Sequence, residues 1–200
     1  NYVSNSLYNW SNLKSLDINR ASLEIKKLDE RFDNLKRIQN VLLNCYFKSL
    51  NTNILFEELT SDKKTDFSRY KYFHASYASS IGRINQAKNI VESALKLHPR
   101  NLLLNQYKID LNETKNINPF NCQKESHVVA EILYITANAL SSQSIYSLSN
   151  LYLNLAKYLN EDFHSFDSLM AENFYKLGNF KKAKKIYKDL SKRGEAYDWY

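Results

Sequence analysis

Four histidines, two cysteines and pairs of adjacent acids are side chains in this sequence that could ligate a metal or transfer protons. None of the histidines stands at ligand spacing from a cysteine or carboxylate, so we predict a structural role for His74, His98, His127 and His164. Cys45 and Cys122 have no CxxC partner. Such isolated cysteines are typical of buried small hydrophobic residues, which we expect here in preference to a disulfide or a metal pair.

The acids and glycines also lack a catalytic arrangement. Glu57 and Glu58, and likewise Glu161 and Asp162, are adjacent in sequence. Neighbouring side chains diverge on a helix, so we interpret both pairs as charges at helix ends and not as an acid–base couple. The glycines at 82 and 178 are isolated, which is typical of turns and not of a phosphate-binding loop. We therefore expect no enzymatic activity, cofactor or metal.

Composition favours a helical protein with short loops. The 200 residues are 44% hydrophobic and include three glycines and two prolines, too few for the many tight turns of a β-sandwich or barrel. A net charge of +7 is found in proteins that bind nucleic acid or anionic membranes, but also in lysine-rich surfaces without such a role. No apolar run reaches the roughly 18 residues that would predict a transmembrane helix.

Apolar residues recur at helical spacing along most of the chain and predict an all-α fold of about eleven helices. We predict N-caps at Asp17 and Asp66, and an irregular connection over 112–124, where Asn118-Pro119 prevents a continuous helix. The helix over 146–159 is expected to pack through Leu148, Leu151, Tyr152 and Leu155. The predicted helices span 1–14, 18–30, 32–50, 52–59, two patterns within 69–101 joined by Gly82, 102–111, 125–142, 146–159, 163–177 and 180–192.

A helix–turn–helix pattern recurs in register from residues 68, 130 and 164. Its clearest copy is RYKYFHASYASSIGRINQAKNIVESALKLHPRN, residues 69–101. Small residues are expected to let the paired helices approach closely at Ala75, Ala87, Ala137, Ala171 and Ala183. Bulky residues are expected to fill the space between successive units at Val91, Leu153 and Tyr187.

The segments GRINQAKNIVESALKLHPRN and LGNFKKAKKIYKDL resemble the tetratricopeptide repeat (TPR) family. The resemblance covers 68–101 and 130–197, extends weakly to 2–35, is degenerate at 36–67 and fails over 102–129. The family's first-helix tryptophan is replaced by Lys71, Leu133 and Asp167. The resemblance implies a right-handed α-solenoid of antiparallel helix pairs, in which 1–200 is a single segment with its clearest repeats at 68–101, 130–163 and 164–197.

The same resemblance implies a scaffold that binds a peptide or protein partner in a concave groove lined by first helices. Two alternatives stay open: a groove with no ligand, and a groove filled by the chain itself. The clamp that some members use for C-terminal carboxylates is absent, since Tyr72 and Ser76 replace its Lys and Asn. The implied groove residues are Arg69, Tyr72, Ser76, Glu131, Tyr134, Asn138, Glu172, Tyr175 and Lys176.

The densest basic run offers an alternative function. We interpret its lysines as a solvated face, with binding of RNA or an anionic surface through 181–193 as the alternative. This basic face comprises Lys181, Lys182, Lys185, Lys188 and Lys192.

Partner identity and compartment are open. VVAEILYITANAL followed by LYLNLAKYLNEDF is similar to long bacterial TPR proteins, several of which resemble exported envelope proteins. Because the chain begins at Asn1 and not at Met, we interpret it as a segment of a longer protein whose true N-terminus lies upstream. Both the periplasm or cell envelope and the cytoplasm remain possible locations.

Overall fold

The computed structural model describes residues 2–13, 16–62, 67–113 and 119–199, and all regular secondary structure in these ranges is helical. Within these ranges there is no β-strand, and no helix is long and apolar enough to cross a membrane. Short 3-10 helices lie at Glu30–Phe32 and Glu195–Trp199. The α-helices are α1 (Tyr2–Ser11), α2 (Ile18–Lys26), α3 (Asp33–Tyr46), α4 (Thr52–Ser61), α5 (Ser68–Ser80), α6 (Ile84–Leu97), α7 (Leu102–Asn112), α8 (Glu125–Ser142), α9 (Tyr146–Leu159), α10 (Ser165–Lys176) and α11 (Phe180–Leu190).

Most helix bounds agree closely with the sequence prediction. Helices α8 and α9 begin and end at the predicted residues. The Asp17 carboxylate accepts a hydrogen bond from the backbone N–H of Arg20 at 2.9 Å, which confirms this N-cap. Helix α3 ends at Tyr46, short of the predicted residue 50, because Lys48 adopts a left-handed backbone conformation. The predicted cap Asp66 and the middle of the predicted irregular connection, 114–118, lie outside the described residues.

The chain divides into two compact units, Asn1–Val128 and Val129–Tyr200, and the boundary between them lies inside α8. In the first unit, α5 contacts α4, α6 and α7. In the second unit, α10 contacts α9 and α11. The predicted small residues at the helix contacts are all buried, as are Val91 and Leu153, whereas Tyr187 is half-buried. These small residues are Ala75, Ala87, Ala137, Ala171 and Ala183.

A disulfide joins Cys45 of α3 to Cys122, 77 residues further along the chain. Their Cα atoms are 5.8 Å apart, within the usual range for a disulfide. Both residues are buried, as predicted, but the preference for unpaired cysteines was wrong. Spacing along the sequence carries no information about this pair, because the path of the chain through α5, α6 and α7 brings the two residues together.

The turns that end four helices share one backbone geometry. The second residue after the helix has a positive φ at Lys48 (54°), Gly82 (79°), Ser144 (63°) and Gly178 (73°). In each turn its N–H donates to the carbonyl three residues earlier, and the next N–H donates to the carbonyl five residues before itself, at 2.8–3.0 Å. Lys48 and Gly82 are 34 residues apart, and so are Ser144 and Gly178. The α3–α4 turn therefore follows the same register, although the sequence resemblance is degenerate there.

Replacing Ser144 by Gly is expected to stabilise the second unit by about 1 kcal/mol, because a left-handed conformation is strained for a residue with a Cβ atom. For the same reason, Gly178→Ala is expected to cost about 1 kcal/mol, although open space surrounds the added methyl group. Denaturant unfolding measures both changes. The control Ala139→Gly, on the exposed part of α8, should instead destabilise by about 1 kcal/mol. Equal signs for Ser144→Gly and Ala139→Gly would contradict the strain at Ser144.

Helix α9 buries Leu153, as the repeat register predicts, but not the three leucines through which the helix was expected to pack. Its buried residues are Ser149, Asn150, Leu153 and Ala156, and the Ser149 hydroxyl donates to the carbonyl of Ala137 at 2.7 Å. Small side chains are needed for helices to approach this closely, so the face that carries serine and alanine turns inward. The leucines expected to pack are exposed: Leu148 by 41%, Leu151 by 55% and Leu155 by 46%. The predicted packing of α9 through these leucines was wrong.

Candidate functional site

The first-unit residues of the predicted groove are covered by the protein's own chain. The Tyr72 ring packs edge-on against Tyr107 of α7, with 5.0 Å between centroids, and is buried. The buried Ser76 hydroxyl donates to the carbonyl of Phe120 at 3.4 Å. Tyr107 and Phe120 belong to the stretch 102–129, where the repeat pattern fails. This stretch removes Tyr72 and Ser76 from the surface that a partner could contact, while Arg69 stays half-buried, with its guanidinium 5.4 Å from the centre of the Phe73 ring.

In the second unit, most predicted groove residues lie on the surface. Asn138 of α8 is exposed, and so are three residues near the end of α10, Glu172, Tyr175 and Lys176. Tyr134 is half-buried, because its ring packs against Phe166 with 5.6 Å between centroids. Glu131 is fully buried, so it cannot contact a partner in this conformation.

A buried hydrogen-bond network positions α8, α9 and α10 beside one another. The Ser141 hydroxyl donates to the Asn173 side-chain carbonyl at 2.6 Å. The Asn173 amide donates to the Ser149 hydroxyl at 2.8 Å and to the Asn150 side-chain carbonyl at 2.9 Å. A network of this kind fixes one arrangement of the helices, because each polar group would be costly to bury without its partner.

This network also places the exposed candidate residues on adjoining helices. Asn138 lies between Tyr134 and Ser141, both of which contact α10. Glu172 lies next to Asn173, which contacts α8 as Phe166 also does, and Tyr175 and Lys176 follow at the end of α10. We call the surface that includes Asn138, Glu172, Tyr175 and Lys176 the α8–α10 face. It offers an amide, both signs of charge and an aromatic ring, a combination suited to a polypeptide partner.

The five lysines of the predicted basic face are all exposed. Helix α11 buries Ala183 and Leu190 on its opposite side. Lys192 follows the end of α11 and lines a cleft of about 340 Å³ together with Asp167 and Asp189. The Lys157 ammonium, in the same cleft, lies 2.6 Å from an Asp167 carboxylate oxygen. The basic face thus includes a local mixture of charges at its C-terminal end.

An exposed aromatic pair beside these lysines was missed by the sequence analysis. Tyr175 and Phe180 are 57% and 59% exposed, and their rings meet edge-to-face with 5.2 Å between centroids. The Lys182 ammonium lies 5.1 Å from the centre of the nearby Phe174 ring. No signal in the sequence marked Phe180, because apolar character alone does not reveal which residues at the start of a helix remain exposed.

His74, His127 and His164 have different surroundings in the structure. The Nδ1 atom of His127 accepts a hydrogen bond from the backbone N–H of Asn121 at 3.1 Å. His74 is buried and stacks on Phe56. His164 is half-buried, and its pKa is lowered mainly by burial and then by the nearby Arg193. In the described part of the chain, no three His, Cys, Asp or Glu residues are grouped so that they could hold a metal ion.

Comparison with known proteins adds no relative from which a function could be transferred. No model of a known protein family matches the chain. A search of curated proteins likewise found no significantly similar sequence. A functional conclusion therefore has to be argued from the geometry of the two units.

Proposed function

We propose that this chain is a non-enzymatic interaction scaffold, a TPR-like array that binds a peptide or protein segment. The observation that carries the proposal is the common turn geometry, which recurs at a spacing of 34 residues in both units. A fixed period of this length is the mark of helix–turn–helix repeats that stack on one another. The proposed repeats are 68–101, 130–163 and 164–197, with a further one over 34–67, in a right-handed solenoid.

The proposed binding surface is the α8–α10 face. In a TPR-like array these are first helices, which line the concave side. Tyr175 provides rigid contact area, while Asn138, Glu172 and Lys176 provide hydrogen bonds and charges that could read a polypeptide backbone. The corresponding first-unit surface is filled by Tyr107 and Phe120, so the proposal confines partner binding to the second unit.

Replacing Asn138 and Tyr175 together by Ala is expected to weaken partner binding by tenfold or more, on the order of 1.4 kcal/mol, because both side chains are exposed and contribute contact and hydrogen bonding. Affinity capture from an extract of the protein's own cell, followed by mass spectrometry, identifies the partner and allows titration. The matched control removes the same two residue types from α9, Asn154→Ala with Tyr158→Ala, and should leave binding unchanged. If both double variants lose affinity equally, or if neither loses affinity, the α8–α10 face is not the binding surface.

Binding of RNA or an anionic surface through the basic face is the second candidate. The exposed Tyr175–Phe180 pair favours it, because single-stranded nucleic acid is bound by aromatic rings placed among basic residues. This mode requires affinity that falls steeply with salt. No binding to mixed-sequence RNA at low salt would end this alternative.

The disulfide provides evidence about the cellular compartment in which the protein is located. Disulfides persist in oxidising compartments and are rare in the cytosol. Between the two locations that the sequence left open, the buried Cys45–Cys122 bond favours the periplasm or cell envelope. Alkylation of the protein inside intact cells, followed by mass spectrometry, would test this, since cytoplasmic protein would carry both cysteines as thiols.

A further inference from the structure

Helix α9 presents three leucines to solvent on one side. Leu148, Leu151 and Leu155 are spaced three and four residues apart, so they lie on one face, turned away from the buried Leu153. Isolated exposed hydrophobic side chains are ordinary, but no other helix in the described ranges exposes as many large ones. Together with the half-buried Tyr152 beside them, we call these three leucines the α9 stripe.

Buried hydrogen bonds on the opposite side of α9 fix the direction of the stripe. The Ser149 hydroxyl donates to the Ala137 carbonyl at 2.7 Å and accepts from the Asn173 amide at 2.8 Å. The Asn150 side-chain carbonyl accepts from the same amide at 2.9 Å. Turning the leucines inward would break these bonds and leave buried polar groups without partners. Rotation of α9 therefore does not cover the stripe.

The charge of α9 is compatible with a second copy of this chain. The chain has a net charge of +7, so two copies repel each other through most of their surfaces. Helix α9 carries a single charged residue, Lys157, whose ammonium lies 2.6 Å from a carboxylate oxygen of Asp167. Two α9 helices can therefore meet without bringing unpaired like charges together.

The order of apolar residues along α9 makes the stripe self-complementary. It is symmetric about the midpoint between Leu151 and Tyr152, with Leu148 and Leu155 at equal distances on either side. In an antiparallel pair with a two-fold axis at this midpoint, position 148 of each copy faces position 155 of the other, and position 151 faces position 152. Each apolar side chain then meets another, as an isologous interface requires. The spacing of three and four residues is also that of the seam between two packed helices.

We propose that this chain forms a homodimer in which the α9 stripes of two copies pack antiparallel. The 14 residues of α9 span about 21 Å. A contact between two helices of this length is smaller than the roughly 800 Å² per partner of a standard stable interface. The dimer is therefore weak, with a Kd on the order of 100 µM. It does not depend on partner binding by the α8–α10 face.

The test is sedimentation equilibrium of the full chain from about 5 µM to about 1 mM, a range that spans the expected Kd. The mass is expected to rise with concentration from that of one chain towards that of two. Leu151→Glu places two carboxylates beside the two-fold axis and should raise the Kd by more than about tenfold. The matched control Leu23→Glu changes a leucine of α2 that is 56% exposed, against 55% for Leu151, and should leave the Kd unchanged. Circular dichroism verifies that both variants fold.

A charge pair tests the antiparallel arrangement. Leu148→Glu alone should weaken the dimer, because it buries a carboxylate against Leu155 of the second copy. Adding Leu155→Lys to the same chain places opposite charges at the two facing positions and should restore binding by about tenfold relative to Leu148→Glu. In a parallel pair the same double variant would bring like charges together and would not restore the dimer.

Four results would overturn the proposal. They are a native chain that stays monomeric up to about 1 mM, a dimer that Leu151→Glu leaves intact, an equal loss with Leu23→Glu, and a double variant that is no better than Leu148→Glu. A monomeric native chain that loses capture of a different protein with Leu151→Glu would assign the stripe to that protein. The variant Asn138→Ala with Tyr175→Ala leaves the stripe intact, so it should keep the dimer even where partner capture is lost, and the two proposals can fail separately.

Discussion

Reduction of the Cys45–Cys122 disulfide is expected to lower the free energy of unfolding of the first unit by about 4 kcal/mol. The bond closes a loop of 77 residues that contains α4, α5, α6 and α7. Opening so long a loop returns much conformational entropy to the unfolded chain. The bond also holds the segment next to Phe120, whose ring packs on Phe73 with 4.2 Å between centroids.

Denaturant unfolding with and without reductant measures this effect. The matched variant carries Cys45→Ala and Cys122→Ala, which avoid placing a hydroxyl in the two buried positions. It should start about 4 kcal/mol less stable than the native chain and respond to reductant no further. Alkylation of the unreduced chain should add nothing to either cysteine. Two alkylated cysteines, or a reductant effect below about 1 kcal/mol, would contradict a structural disulfide.

Acidification from pH 7 to pH 4 is expected to remove about 3 kcal/mol of stability through His74. Burial is the main cause of its lowered pKa of about 4, against 6.5 for an ordinary histidine, and Glu57 opposes it. The unfolded chain binds a proton at this residue below about pH 6.5, whereas the folded chain binds it near pH 4. The contribution is therefore fully present above pH 6.5, falls as pH decreases, and is gone below pH 4.

Unfolding experiments at several pH values should compare the native chain with His74→Phe, which keeps a ring against Phe56 but cannot titrate. The difference in pH dependence between the two isolates His74 from the carboxylates and from His164, whose pKa is also lowered. His98→Phe, at the half-buried end of α6, is the control and should retain the full pH dependence of the His74 group. If the native chain and His74→Phe lose the same amount of stability as the pH falls, His74 is not the buried neutral group that causes the loss.

The sequence predicted the exposed residues of the α8–α10 face but not the burial of the corresponding residues of the first unit. A repeat register assigns residues to first helices, and Asn138, Glu172, Tyr175 and Lys176 lie exposed on them. It cannot show that Tyr72 and Ser76 are buried, because the covering residues belong to 102–129, a stretch with no repeat pattern. Nor does it reveal that the His74 ring is buried and stacks on Phe56, a residue of another helix.

Local sequence determined the helices of this protein, and tertiary packing decided which of their faces are buried and which remain exposed. The spacing of apolar residues, the glycines at 82 and 178 and the cap at Asp17 act within a few residues of the chain, so they specify helices and turns directly. The inward face of α9 was decided by packing, since leucine and serine faces both satisfy helical periodicity and close approach favours the smaller side chains. The Cys45–Cys122 pair was decided by the fold, because it depends on the path of the intervening 77 residues.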